Sequence, residues 1–345
     1  MCACLRGVPP PDASVPEEVL ASAREEGVLL LLADRMRLRS FADDLREAAI
    51  VEALRARELH DVLTELARAS IRPVLMKGAA LGQTHYPRPE LRPRVDTDLM
   101  IPATAREHVA RVLRDLRYER QAEIEGELAV GQFHFVKVDS HGMRHALDVH
   151  WRASNVRAFA DVVTYEELVA RAIAVPALGP HALAASAVHA LLIACVHRIA
   201  HHNDTPNLLW LYDVHLITRA LTVEERDEFA GLVSARQMRA VCARTLTLAQ
   251  EAFGGIDPEW IAAIAPMDTL HEPSATFVGG GLRQVDILKS DLAATPWPSR
   301  LQLLREHLFP PASYMRQRFP RCPSMLLPLA YACRILVGAP RWVRR

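Results

Sequence analysis

Between about Val15 and Ser70 the apolar positions recur at helical spacing. Leu54, Leu59, Val62, Leu63 and Leu66 fall one to five residues apart with charged residues among them, which predicts amphipathic helix. Ser40, with Asp43 three residues on, predicts an N-cap within this stretch. The period then changes. RPVLM at 72–76 reads as a short apolar strand and GAALGQTHY as a short helix, while the prolines of YPRPELRPR, at 87, 89 and 93, predict an irregular Arg-rich loop. VDTDLMI at 95–101 has strand character, 102–116 returns to helix, and FHFVKV (133–138) and RHALDVHW (144–151) predict two more strands. Beyond Gly179-Pro180 the pattern is helical, with helices expected at 181–201, 206–220, 223–236, 238–253 and 297–308.

These elements predict an α+β fold: an N-terminal helical region at 1–70, a compact core around a small mixed β-sheet at 71–178, a C-terminal helical domain at 179–310 and a basic amphipathic tail at 311–345. No repeat of fixed period interrupts this reading.

Composition narrows the function classes. The 345 residues hold 41 acids and 41 Lys plus Arg, which argues against a dedicated nucleic-acid binder, whose domains usually carry a basic excess. The six cysteines form no CxxC pair and no zinc spacing, so reduced thiols are expected. MCACLRGVPPPDASVPEE lacks the apolar segment of a secretory signal, and a cytoplasmic location is expected. MLLPLAYACRILVG, from Met325, is shorter than a membrane span and contains Pro328 and Arg334. Because no acid follows Glu306 while seven arginines do, the tail suits either packing on the body or peripheral contact with a membrane or protein.

Candidate chemistry centres on two acids inside an apolar run. Strand residues two apart share a face, so Asp96 and Asp98 are expected to project together, with Val95, Thr97, Leu99 and Ile101 on the opposite, core face. Asp148 lies opposite Leu147, Val149 and Trp151 in the same way, and His150 shares its face. If the two strands are neighbours, three carboxylates converge, and a divalent metal, Mg²⁺ or Mn²⁺, would relieve their repulsion. Upstream, Gly78 follows a strand and opens a helix, an arrangement that lets backbone N–H groups approach an anion. Lys77, Arg92 and Arg94 supply positive charge for a triphosphate.

These residues resemble the polymerase-β-type nucleotidyltransferase superfamily, with its Gly loop after a strand, D-x-D on a later strand and third acid on a neighbour. More narrowly, K-G-A-A-L at 77, Y-P at 86, R-P at 92, D-T-D-L at 96 and D-V-H-W at 148 resemble a family of uncharacterised nucleotidyltransferases over about 40–260. The resemblance implies that Asp96 and Asp98 are metal ligands, that Asp148 is the third acid, and that Gly78 belongs to the loop binding a nucleoside triphosphate donor. Lys77, Arg92 and Arg94 match the family's sequence. Ala79 departs from the wider superfamily, where a Ser often follows the Gly and contributes a hydroxyl to the triphosphate. A bacterial biosynthetic role, with a small-molecule, glycan or peptide acceptor, is also implied.

Two other readings stand beside this one. The fold would also serve a nucleotide-binding regulator or scaffold. His197 and His201, four residues apart on a helix, have metal-capable spacing, as a helical metal-dependent phosphohydrolase requires. Asp213, within LLWLYD (208–213), is expected at the interface between the core and the helical domain.

Overall fold

The computed structural model describes residues 1–5, 15–121, 126–265 and 272–343. Among these, seven strands form one mixed sheet: β1 (Val74–Met76), β2 (Thr97–Met100), β3 (Glu119–Arg120), β4 (Gln132–Val138), β5 (Arg144–His150), β6 (Ile173–Ala174) and β7 (Leu183–Ala184). Their order is β3-β4-β5-β2-β1-β7-β6. The two central contacts matter most for function: β2 runs antiparallel to β1 and parallel to β5. Helices dominate the rest of the chain at both ends, so the fold is α+β.

Alternation along the strands divides the molecule into two cores. Leu75, Leu99, Leu147 and Val149 are buried under the long helix Ala42–Arg68, through Leu59, Val62, Leu63 and Leu66, and under Arg106–Asp115, through Val109 and Leu113. Val74, Met76 and Met100, on the opposite face, join a larger core built from the helices after Ser186. Leu31 and Leu32 from the N-terminal region belong to that second core. Among the described residues up to Ser70, packing is therefore shared between the two cores.

The acid-bearing face of β2 is consequently covered rather than open, with Asp98 5 % exposed and Met100 fully buried. Asp96 lies just ahead of β2, and Val95, expected on the core face, is 74 % exposed. The strand alternation does not extend back to these two positions.

Other boundaries shift for local reasons. Ser40 falls in a short 3₁₀ turn, Arg39–Phe41, and the long helix begins at Ala42 without a side-chain cap. The helix expected from 181 starts at Ala187, because Leu183–Ala184 joins the sheet as β7 and the Ala185 N–H then donates to the Leu75 carbonyl at 3.1 Å. The sheet thus continues past the expected core boundary at 178.

The remaining expected helices form at Leu208–Ala220, Val223–Ala235, Arg239–Phe253 and Trp297–Leu308. The last of these fastens the C-terminal region to the sheet: Glu306 accepts from the backbone N–H groups of Glu127, Leu128 and Ala129 at 2.8–3.1 Å. The final helix, Leu327–Val343, is held to the body by Tyr331, whose hydroxyl donates to the Pro310 carbonyl, and by Arg334, which donates to that of His307. Leu329 and Leu336 remain exposed on it. Among the described residues no helix is long and apolar enough to cross a membrane.

Candidate active site

Register builds the site. Asp98 on β2 pairs directly with Asp148 on the parallel strand β5 and with Met76 on β1. Immediately after Met76 the chain turns at Lys77, whose φ of 51° is left-handed, and enters the helix Lys77–Thr84. An L-residue other than Asn or Asp adopts that conformation at a cost. Here it accompanies an ion pair, with Lys77 Nζ 2.6 Å from Asp98 Oδ1. His150 Nε2 donates to the same oxygen at 2.9 Å, and His134 Nδ1 donates to Asp148 Oδ1 at 2.5 Å.

The charges are strongly coupled. Burial alone would raise the Asp98 pKa, but Lys77 and His150 outweigh it and hold the carboxyl well below its usual range. Asp96 goes the other way: burial and the neighbouring Asp98 and Asp148 push it up to about 6, against Lys77 and Arg94. Burial and Lys77 lower the His150 pKa against Asp98 and Asp148, which favours the neutral imidazole. Its Nε2–H is used on Asp98, so Nδ1 carries a lone pair, and that buried atom has no protein partner.

One ligand atom each from Asp98, Asp148 and His150 lie within 4.8 Å of one another, and among the described residues these three form the group able to hold a metal ion. The donor set fits a divalent cation, since two carboxylate groups offset its charge and a neutral imidazole offers nitrogen. Asp96, a metal ligand by the family resemblance, is outside this group of three. It borders the same cavity and raises the local negative charge.

That cavity has a volume of about 630 Å³ and brings together Lys77, Gly78, Arg92, Arg94, Asp96, Asp98 and Asp148. The two arginines are already engaged. Arg92 donates to both Asp213 oxygens, through Nε at 2.9 and 3.1 Å and Nη2 at 2.7 Å, and Tyr86 donates its hydroxyl to the same carboxylate at 2.8 Å. Burial would lower the Arg92 pKa, yet Asp213 overrides it and raises it. Arg94 pairs with Glu52 at 3.0 Å and donates to the Asp96 carbonyl at 3.0 Å. The geometry therefore makes both guanidiniums braces of the Pro/Arg loop, one to the helical domain and one to the long N-terminal helix. Gly78 lies beneath them, and a Cβ there would meet Arg92 Nη1 at 3.1 Å.

A second wall comes from the helices. His197, His201, His202 and Trp210 border the same cavity. His202 lies 3.9 Å from Trp210, centroid to centroid, with the rings tilted by 30°, and its Nε2 is 3.1 Å from that of His197. Burial first, then Lys77, lowers the pKa of all three histidines. The His197/His201 pair is thus part of the carboxylate cavity rather than the centre of a separate site.

Sequence reasoning missed His134, although alternation between Phe133 and Phe135 assigns it to the polar face of β4, opposite Asp148 in the register. Gln132, two residues earlier on that face, also borders the cavity. His202 falls with His197 and His201 on the one helix expected to carry a histidine cluster, whereas Trp210 carries no local signature. Only packing between the helical domain and the sheet brings them to the acids.

The family profile for uncharacterised nucleotidyltransferases matches residues 14–254. The chain belongs to that family. The match includes the N-terminal helices from Glu17 on, the sheet and the helices bearing the histidine wall, and leaves the C-terminal region from Gly255 outside it. No curated protein matches the chain.

Proposed function

We propose that the protein is a metal-dependent nucleotidyltransferase that moves a nucleoside monophosphate from a nucleoside triphosphate to an acceptor nucleophile. The observation that supports this most is the register pairing of Asp98 with Asp148, with Lys77 and His150 fixed on Asp98. Asp98, Asp148 and His150 would hold a divalent cation, Mg²⁺ or Mn²⁺, which would supply charge neutralisation for the phosphates and polarise the reacting phosphorus.

The remaining work falls to the chain's own groups. Gly78 and the first N–H groups of the Lys77–Thr84 helix receive phosphate oxygens, as helix N-termini do. Lys77 adds a positive charge at the same end. Asp96 borders the same cavity but lies outside the ligand group, so its carboxylate is free to accept the acceptor's proton. The acceptor oxygen or nitrogen attacks the α-phosphorus, the bond to the β-phosphate oxygen breaks, and pyrophosphate leaves with the electron pair. A small molecule, glycan or peptide of a bacterial biosynthetic pathway is the acceptor class this reading favours, at a cytoplasmic location.

The test uses triphosphates labelled at the α- or the γ-phosphorus, incubated with Mg²⁺ and panels of small-molecule, glycan and peptide acceptors. Label from the α position in the product and from the γ position in pyrophosphate supports the assignment. Transfer of the γ label to the acceptor would make the protein a kinase. Nucleotide binding with no pyrophosphate release would favour the regulator or scaffold reading.

A further inference from the structure

The part of the cavity wall formed by His202 and Trp210 has no role in the phosphate chemistry above. It borders the same cavity as the acids and is aromatic, and burial and then Lys77 lower the pKa of His202, which favours the neutral ring. A wall without net charge offers a triphosphate a few N–H donors but no charge neutralisation. It does offer stacking area to a flat, uncharged heterocycle, a contact that tolerates different bases because every base presents a π-face.

Its placement is also enforced. Trp210 and Asp213 are three residues apart on one helix and so lie on adjoining positions of one face. Asp213 is gripped by Arg92 and Tyr86 from the loop that leads into β2. His202 ends the preceding helix, and the turn after it is locked: Asn203 and Asp204 both have positive φ, and the fully buried Arg198 pairs with Asp204 and donates to its carbonyl at 2.8 Å. Both rings are thereby held in fixed relation to the acids. A cavity of about 630 Å³ falls within the roughly 300–1,000 Å³ usual for organic ligands.

We infer that the His202–Trp210 pair is the stacking face for the nucleobase of the donor, so that the helical domain reads the base while the sheet holds the phosphates. This rests on the nucleotidyltransferase reading of the same site. The phosphates lie at the Lys77-Gly78 end and the base at the helical wall, and binding the base draws on ring area more than on hydrogen-bond pattern. Purine triphosphates, with the larger ring, are favoured over pyrimidine ones.

The experiment compares wild type, Trp210→Ala, Trp210→Phe and His202→Ala by calorimetric titration with each of ATP, GTP, CTP and UTP and with inorganic tripolyphosphate, all with Mg²⁺ and no acceptor. Wild type is expected to bind ATP or GTP at least about tenfold more tightly than tripolyphosphate. Trp210→Ala is expected to bring the two within about twofold while tripolyphosphate affinity is unchanged, and Trp210→Phe to keep most of the difference. Unchanged tripolyphosphate affinity shows that the variant is folded. Where Trp210→Ala does not fold, His202→Ala, at a half-buried helix end, gives the same comparison.

A Trp210→Ala protein that retains the nucleotide preference overturns the inference and leaves the wall to the acceptor. Equal loss of nucleotide and tripolyphosphate overturns it as well, in favour of a purely structural role. Wild type that binds neither ligand removes the nucleotidyltransferase reading itself, a failure distinguishable from the other two.

Discussion

Arg92 and Asp213, 121 residues apart in sequence, meet in a buried ion pair with three N–H···O contacts of 2.7–3.1 Å. The pair ties the loop before β2 to the helix that carries Trp210, so it couples the position of the acids to that of the aromatic wall. Removing one partner strands the other charge in the interior, which typically costs about 3–5 kcal/mol. Arg92→Ala and Asp213→Ala are each expected to lose stability of that order in urea denaturation. The double variant should lose clearly less than the sum, because the second substitution removes the stranded charge. Additive losses well under 1 kcal/mol would contradict the coupling.

Lys77 combines an unfavourable backbone with a favourable ion pair. Lys77→Ala and Lys77→Gly both delete the contact to Asp98, but only glycine adopts a φ of 51° freely. Lys77→Gly is therefore expected to be more stable than Lys77→Ala by about 1 kcal/mol, measured by denaturant midpoint. Equal stability, or the reverse order, would mean that the turn is not strained.

Glu306 predicts a pH dependence for the attachment of the C-terminal region. Burial would raise its pKa, but three backbone N–H groups and Gln302 lower it below the ordinary value of 4.5. A carboxylate with a depressed folded pKa adds stability that is present above the unfolded value and is lost as pH falls through the folded one. The difference in melting temperature between wild type and Glu306→Gln is expected to be full at pH 7 and to shrink below about pH 4.5. A difference independent of pH would show that the charge of Glu306 is not what holds the segment.

The parts of the site that were legible in the sequence are those set by period and local turn chemistry. Asp98 and Asp148 stood out because a carboxylate within an apolar strand contradicts the strand's pattern, and Gly78 because it follows a strand and opens a helix. Boundaries were less legible where elements are very short: β3, β6 and β7 have two residues each, too few for any period, and they form only because the sheet edges beside them accept hydrogen bonds. The pairing of Arg92 with Asp213 and of Arg94 with Glu52 has no local signature, because the partners lie 121 and 42 residues away. Long-range packing decides these pairings, as it decides that the histidine helix lines the same cavity as the acids.

The most direct measurement of the central claim is the melting temperature of wild type and Asp98→Asn with each of ATP, GTP, CTP and UTP, with and without Mg²⁺. Ligand that binds only the native state stabilises it, by about 2.7 kcal/mol at a hundredfold excess over Kd. The account predicts a rise for wild type with at least one nucleotide, dependent on Mg²⁺, and a folded Asp98→Asn protein that shows none. A rise of equal size in Asp98→Asn, or no nucleotide-dependent rise in wild type, would contradict it.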